Sequence, residues 1–169
     1  SIVQQHPTRQ KHQHLAEGVA EIGSSATSFA RADTTEARFK FDAPTVGFVL
    51  TPVATHVAAY GGDRLRDVPL AAGTGWVIGG ACDGLCSWEG PSAFINVHVD
   101  PTIIHEVSGR NAELPTIYGF HDPVVLQMAL ALHEAGAADH DQNTVYQDTM
   151  LRALTAHLMR VVDGHFEHN

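Results

Sequence analysis

Cysteine is scarce, with two in 169 residues. That count excludes a small secreted scaffold stapled by disulfides and fits a reducing compartment. Positive charge is short as well. Ten Lys and Arg against nineteen Asp and Glu leave a net charge of −9 with the histidines neutral. A surface of that sign repels phosphate, so these residues by themselves make a poor partner for nucleic acid. No apolar run approaches the roughly 20 residues needed to cross a bilayer. Residues 1–30 lack the basic start and apolar core of an export signal, and the expectation is a cytoplasmic chain.

Several chemical signatures are missing too. Gly73-Thr74-Gly75 and Gly79-Gly80 are not followed by Gly-Lys-Ser/Thr, so they read as turns rather than a phosphate loop. Ser87 and Ser92 stand in no Gly-x-Ser-x-Gly elbow, and no hydrolase triad can be argued. Cys82 and Cys86 fall in a predicted loop with no second pair to complete a zinc site, so they read as free thiols. The residues predict no enzyme and no cofactor.

What remains is one domain's worth of chain, 44% hydrophobic. Residues 1–28 are rich in Gln, His, Ser and Thr, and the histidines His6, His12 and His14 have no carboxylate or cysteine interleaved at ligand spacing. They read as a partly flexible N-terminal arm, with a short helix around Leu15 to Ile22 as its one ordered option. From Phe29 to Asp100 short apolar runs alternate with Gly, Pro and Asp. Strands are predicted at Ala37–Asp42, within Val46–Tyr60 (divided at Pro52), and at Leu65–Leu70, Trp76–Ile78, Leu85–Glu89 and Ala93–Val99. Their spacing suits a sandwich or a small barrel better than alternating βα units.

After Pro101 the period lengthens. Thr102–Val107 predicts one helical turn, and Asp122-Pro123 opens a helix that stops at Gly136. Asp139–Gln142 links it to a second helix over Asn143–Val162, closed by Asp163-Gly164. The two form an antiparallel pair. The first helix carries Val125, Leu126, Met128, Leu130 and Leu132 around most of its circumference, more than one sheet face can bury. A partner subunit is one candidate for covering the rest.

The side chains that invite a chemical reading are His56, Asn96 and His98. His98 lies on a strand whose Ile95, Val97 and Val99 take the opposite face, and His56 belongs to an earlier strand. Two imidazoles and a carboxylate inside a barrel could hold Zn, Fe or Mn, which would make the chain a small cupin metalloenzyme of isomerase or dioxygenase type. Cupin enzymes use His-x-His, whereas this chain has Asn96-x-His98 followed by Asp100, so an amide replaces one imidazole. The plainer reading is a hydrogen-bonded histidine lining the interior. Trp76 and Trp88 can wall a ligand pocket or fill a core. Arg64 and Arg66 alternate with Asp63 and Asp67, as on a solvated hairpin.

The order of segments is distinctive: Thr55-His56, Ala72-Gly73, Trp88-Glu89-Gly90 and Val99-Asp100-Pro101, then Asp122-Pro123 and a helix pair ending in Ala156-His157-Leu158-Met159-Arg160. It resembles the N-terminal effector-binding and dimerisation domain of bacterial AraC-type transcription regulators. The resemblance covers about Phe29 to Val162 and is one of pattern, because the family's diagnostic motif lies in its DNA-binding half. It implies an α+β fold: a cupin-like β-barrel (jelly roll) over residues 29–100, then an antiparallel pair of helices within 101–169. It also implies a small-molecule effector contacting some of His56, Tyr60, Trp76, Trp88, Asn96 and His98. The homodimer it implies would be held through Leu151, Leu154, Leu158 and Val162 of the second helix, and DNA would be reached only through helix-turn-helix units. This sequence contains no recognition helix or basic face, and its stop at Asn169 is expected for an excised domain.

Overall fold

Alternation of apolar and polar residues becomes strand over most of the first hundred residues. The computed structural model describes residues 15–167 apart from 34, 54, 63, 112 and 138–143. Six strands form one antiparallel sheet in the order β1 (Gly18–Ile22), β2 (Ser25–Ala32), β9 (Ser92–His98), β4 (Thr45–Val49), β7 (Thr74–Ile78) and β10 (Ile117–His121). Four more form a second antiparallel sheet, β3 (Thr35–Phe41), β8 (Cys82–Trp88), β5 (His56–Tyr60) and β6 (Arg66–Asp67). The helices are α1 (Pro101–Ser108), α2 (Pro123–Ala137) and α3 (Thr144–Glu167).

The six-stranded sheet is the middle layer, and its period-2 side chains feed two separate cores. One face sends Phe29, Val46, Phe48, Val77, Ile95 and Val97 against the helices. The other sends Val49 and Ile78 toward the four-stranded sheet, where they meet Ala58, Tyr60, Cys86 and Trp88. This double burial explains why all five residues of β4 are buried. Two of the helices are capped as their sequence dictates. The Asp100 carboxylate accepts from the Thr102 N–H at 2.9 Å, and α1 ends at Gly109 with φ 71°. Asp122 Oδ1 accepts the N–H groups of both Val124 and Val125 at 3.0 Å, opening α2.

Several expectations are corrected. The two sheets face each other but do not close, so the predicted barrel is an open two-sheet arrangement. Residues 18–28 are not arm: β1 and the first half of β2 are built from them, and β2 pairs with β9 from Ala26↔His98 to Ala32↔Ser92. Ala20 and Ile22 of β1, and Ser25, Thr27 and Phe29 of β2, fall on the buried face at every second position. His6, His12 and His14 and the Asp139–Gln142 connection lie outside the described residues. Strand β10 falls inside the stretch assigned to helices, completing the edge beside β7. Cys82 and Cys86 sit on β8 rather than in a loop.

Helix α3 runs through Asp163-Gly164 to Glu167, with Asp163 accepting from Arg110 Nη2 at 2.6 Å. The stripe assigned to a dimer contact is also corrected. Leu151, Leu154, Leu158 and Val162 are each at most 2% exposed, packed in the chain's own core with Val125, Ala129 and Leu132 of α2. They have no surface left to offer a second copy. The same packing answers the excess of apolar side chains on α2, since the sheet covers one side and α3 the other. Among the described residues no helix is long and apolar enough to cross a membrane.

Candidate functional site

Between the two sheets lies a cavity of about 760 Å³. All six residues singled out from the sequence as effector contacts line it: His56 and Tyr60 from β5, Trp76 from β7, Trp88 from β8, and Asn96 and His98 from β9. Cys86, Phe94, Ser28 and Phe41 join them. Arg64 is not among the lining residues, and Arg66 stacks over the Tyr118 ring at 4.8 Å.

Aromatic rings set the cavity's shape. Phe94 stands edge-on to both indoles, 5.9 Å from Trp76 and 5.1 Å from Trp88, so one phenyl ring couples the sheets. Tyr60 packs against Phe41 at 6.1 Å and Tyr118 at 5.3 Å. Two glycines that the sequence reading passed over give these rings their room. Gly47 pairs with Trp76 on one side and Asn96 on the other. A Cβ on Gly47 would come within 2.2 Å of Asn96 Oδ1 and 2.3 Å of the Trp76 ring. At Gly84, a Cβ would lie 2.8 Å from Tyr60 and 3.0 Å from Phe41. The signal that could have found them is a glycine inside a strand pattern, which marks close approach by a neighbour.

The two imidazoles differ in what they leave free. His98 Nδ1 lies 2.9 Å from Thr45 Oγ1, and that hydroxyl gives its own proton to the Ala43 carbonyl at 3.0 Å. Nδ1 is therefore the donor, and Nε2 accepts from Ser28 Oγ at 3.0 Å. Both nitrogens of His98 are occupied, tying β9 to β2 and β4. His56 donates Nδ1–H to the Val68 carbonyl at 3.0 Å, which makes Nε2 its acceptor nitrogen. Burial lowers the pKa of both rings, His56 despite the opposing bond to Val68, so both are held neutral.

Burial also raises the Tyr60 phenol beyond the ordinary range and pushes the Cys86 thiol up to about 11, so both are protonated as well. The Trp88 Nε1–H is buried with no hydrogen-bond partner. The donor set fits a metal badly, because His98 has no lone pair to give without breaking its bond to Ser28. Among the described residues no group of three or more His, Cys, Asp and Glu side chains converges on a point.

No protein-family model and no curated protein sequence matches the chain. Solved structures do match in fold. The AraC-like transcriptional activator CuxR superposes with a TM-score of 0.53 at 10% identity, over 82% of this chain and 52% of that one. Apo ToxT K231A from Vibrio cholerae gives 0.54 at 8% identity, over 85% and 57%. ToxT from Vibrio cholerae O395 bound to (E)-4-(8-methylnaphthalen-1-yl)but-3-enoic acid gives 0.52 at 10% identity, over 84% and 57%. The match thus spans about half the length of these chains. At such identities the likeness is one of fold.

Proposed function

We propose that this chain is the ligand-sensing and dimerisation domain of a bacterial AraC-type transcription regulator, a binding module rather than an enzyme. The observation that carries the reading is the cavity of about 760 Å³ walled by Trp76, Trp88, Phe94 and Tyr60, inside a fold shared with CuxR and ToxT. Its volume falls in the range of about 300–1,000 Å³ that holds drug-sized molecules. ToxT has been crystallised with a flat naphthyl acid, and aromatic walls like those here suit a flat apolar body. The guest acts by binding one arrangement of sheets and helices better than another, and a coupling of about 1–3 kcal/mol suffices for a response of 5- to 150-fold. A homodimer belongs to this reading. Its contact uses surface outside the buried stripe, such as that around the exposed Val145 and Tyr146 at the start of α3. DNA is reached through a separate domain, and the setting is the bacterial cytoplasm.

The test is a thermal-shift and calorimetric screen with flat apolar compounds. A saturating guest at one hundred times its Kd stabilises the fold by about 2.7 kcal/mol. Ala30→Trp, placed on β2 at the cavity wall, abolishes that gain while the protein still unfolds cooperatively. A hit whose stabilisation survives Ala30→Trp refutes the site. Sedimentation showing only monomer at high concentration refutes the dimer.

A further inference from the structure

Two side chains of the cavity wall bring uncommitted hydrogen-bonding groups to one place. Trp76 of β7 and Asn96 of β9 flank Gly47 of β4 in a single row of the six-stranded sheet. Gly47 has no side chain to keep them apart, and both reach over it. Trp76 Nε1 and Asn96 Oδ1 each lie within 2.3 Å of the point a Cβ would occupy there. No hydrogen bond joins them, and among the described residues no other group bonds to the Trp76 N–H or to the Asn96 amide. Both residues are half-buried and line the cavity, whereas Trp88 Nε1 is sealed in the packing. His98 spends both nitrogens on Ser28 and Thr45, and His56 keeps Nε2 as an acceptor on the facing sheet. Charge enters the lining as well, from the exposed Arg38, Lys40 and Asp42 on and beside β3.

We propose that the guest of this cavity is a flat apolar body carrying a cis-amide (lactam) edge, and that this edge pairs with the Asn96 side chain beside Trp76. The guest's N–H donates to Asn96 Oδ1, and its carbonyl accepts from Asn96 Nδ2–H. The two amides have the same spacing of donor and acceptor, so the bonds run in parallel. The carbonyl's second lone pair is left for Trp76 Nε1–H. A carboxylate held by Arg38 or Lys40 has no proton for Oδ1 and leaves it unanswered. A hydroxyl offers a single atom to three groups, where the lactam offers two. Asn96 is the specificity-determining residue, and Trp76 supports it. This inference rests on reading the cavity as the ligand site and narrows its ligand class.

Four compounds of similar shape test it: 2-quinolone, which is a lactam, its N-methyl derivative, 2-naphthol and 2-naphthoate, titrated calorimetrically into the whole chain at pH 7.5. The lactam binds at least about tenfold more tightly than each of the others, the size of effect expected when a hydrogen-bonding group is left unanswered. Asn96→Leu brings the lactam within about twofold of its N-methyl derivative. Asn96→Asp, which keeps the shape but turns the amide donor into an acceptor, also erases the preference and serves if the leucine variant fails to fold. Naphthol or naphthoate binding tightest, or a lactam preference that survives in either variant, overturns the assignment and leaves the cavity reading standing. If none of the four binds while the screen of flat apolar compounds gives a hit that Ala30→Trp abolishes, the lactam assignment alone fails. If none binds and that screen gives no hit, both fail.

Discussion

Gly47→Ala discriminates between an ordinary strand glycine and one that shapes the cavity. Within a strand, replacing Gly by Ala normally stabilises by about 0.5–1 kcal/mol, because the glycine is the more flexible residue when unfolded. At Gly47 the new methyl would sit 2.2 Å from Asn96 Oδ1 and 2.3 Å from Trp76, against a comfortable contact of about 3.5–4.0 Å. Both neighbours must retreat by more than about 1 Å, and their backbones are fixed by pairing on either side of β4. Both side chains line the cavity, which is the open space beside them. Overpacking of that kind costs about 1–3 kcal/mol, so the net effect is a loss of about 1–2 kcal/mol. Urea unfolding followed by tryptophan emission measures it, and the emission of the displaced Trp76 shifts with it. Gly119→Ala is the control, since a Cβ there meets only Thr74 Cγ2 at an ordinary 3.7 Å. It leaves stability unchanged or slightly raised. If Gly47→Ala unfolds at the same urea concentration as the parent or a higher one, the packing argument for the cavity wall is wrong.

Leu154→Asp combined with Leu158→Asp unfolds the domain instead of yielding a folded monomer, and Leu158→Ala alone loses about 2–5 kcal/mol in urea unfolding, because both leucines are core. Stability falls as pH drops below about 6.5, the ordinary histidine value. His56 and His98 have lowered pKa values when folded, so the unfolded chain takes up protons first and acid favours it; urea midpoints at pH 7.5 and 5.5 check the sign. Nitrogen-15 spectra of the imidazoles place the proton of both rings on Nδ1, the tautomer their carbonyl and hydroxyl acceptors require. With a thiol reagent at pH 8, half-exposed Cys82 reacts well before Cys86, which is buried with its thiol pushed up to about 11; urea abolishes the difference.

The strand core and the cavity wall were legible because period-2 alternation sorts side chains between two faces without any need for the fold. Phe94, Asn96 and His98 separate from Ile95 and Val97 on that rule alone, and the structure puts the first set on the cavity and the second on the helices. The rule also placed His56 and Tyr60 together. It missed β1, where Gly18, Glu21 and an exposed Val19 dilute the alternation, and β10, a five-residue edge strand that pairs irregularly with β7. Sheet closure depends on hydrogen bonds between strands distant in the chain, so the predicted barrel had no local signal against it. The apolar stripe of α3 is equally silent about its partner, since a leucine row serves a neighbouring helix and a second subunit by the same physics. Gly47 escaped because its role is an absence, the room it leaves for Trp76 and Asn96.

Strand β9 is a partition one peptide layer thick. Phe94, Asn96 and His98 border the cavity, while the intervening Ile95 and Val97 rest in the bed on which α2 lies. A strain that tips Asn96 in one direction tips Val97 in the other, because consecutive residues share a peptide plane. A displacement of the cavity wall at β9 is therefore passed to the helix bed directly, with neither hinge nor loop in between.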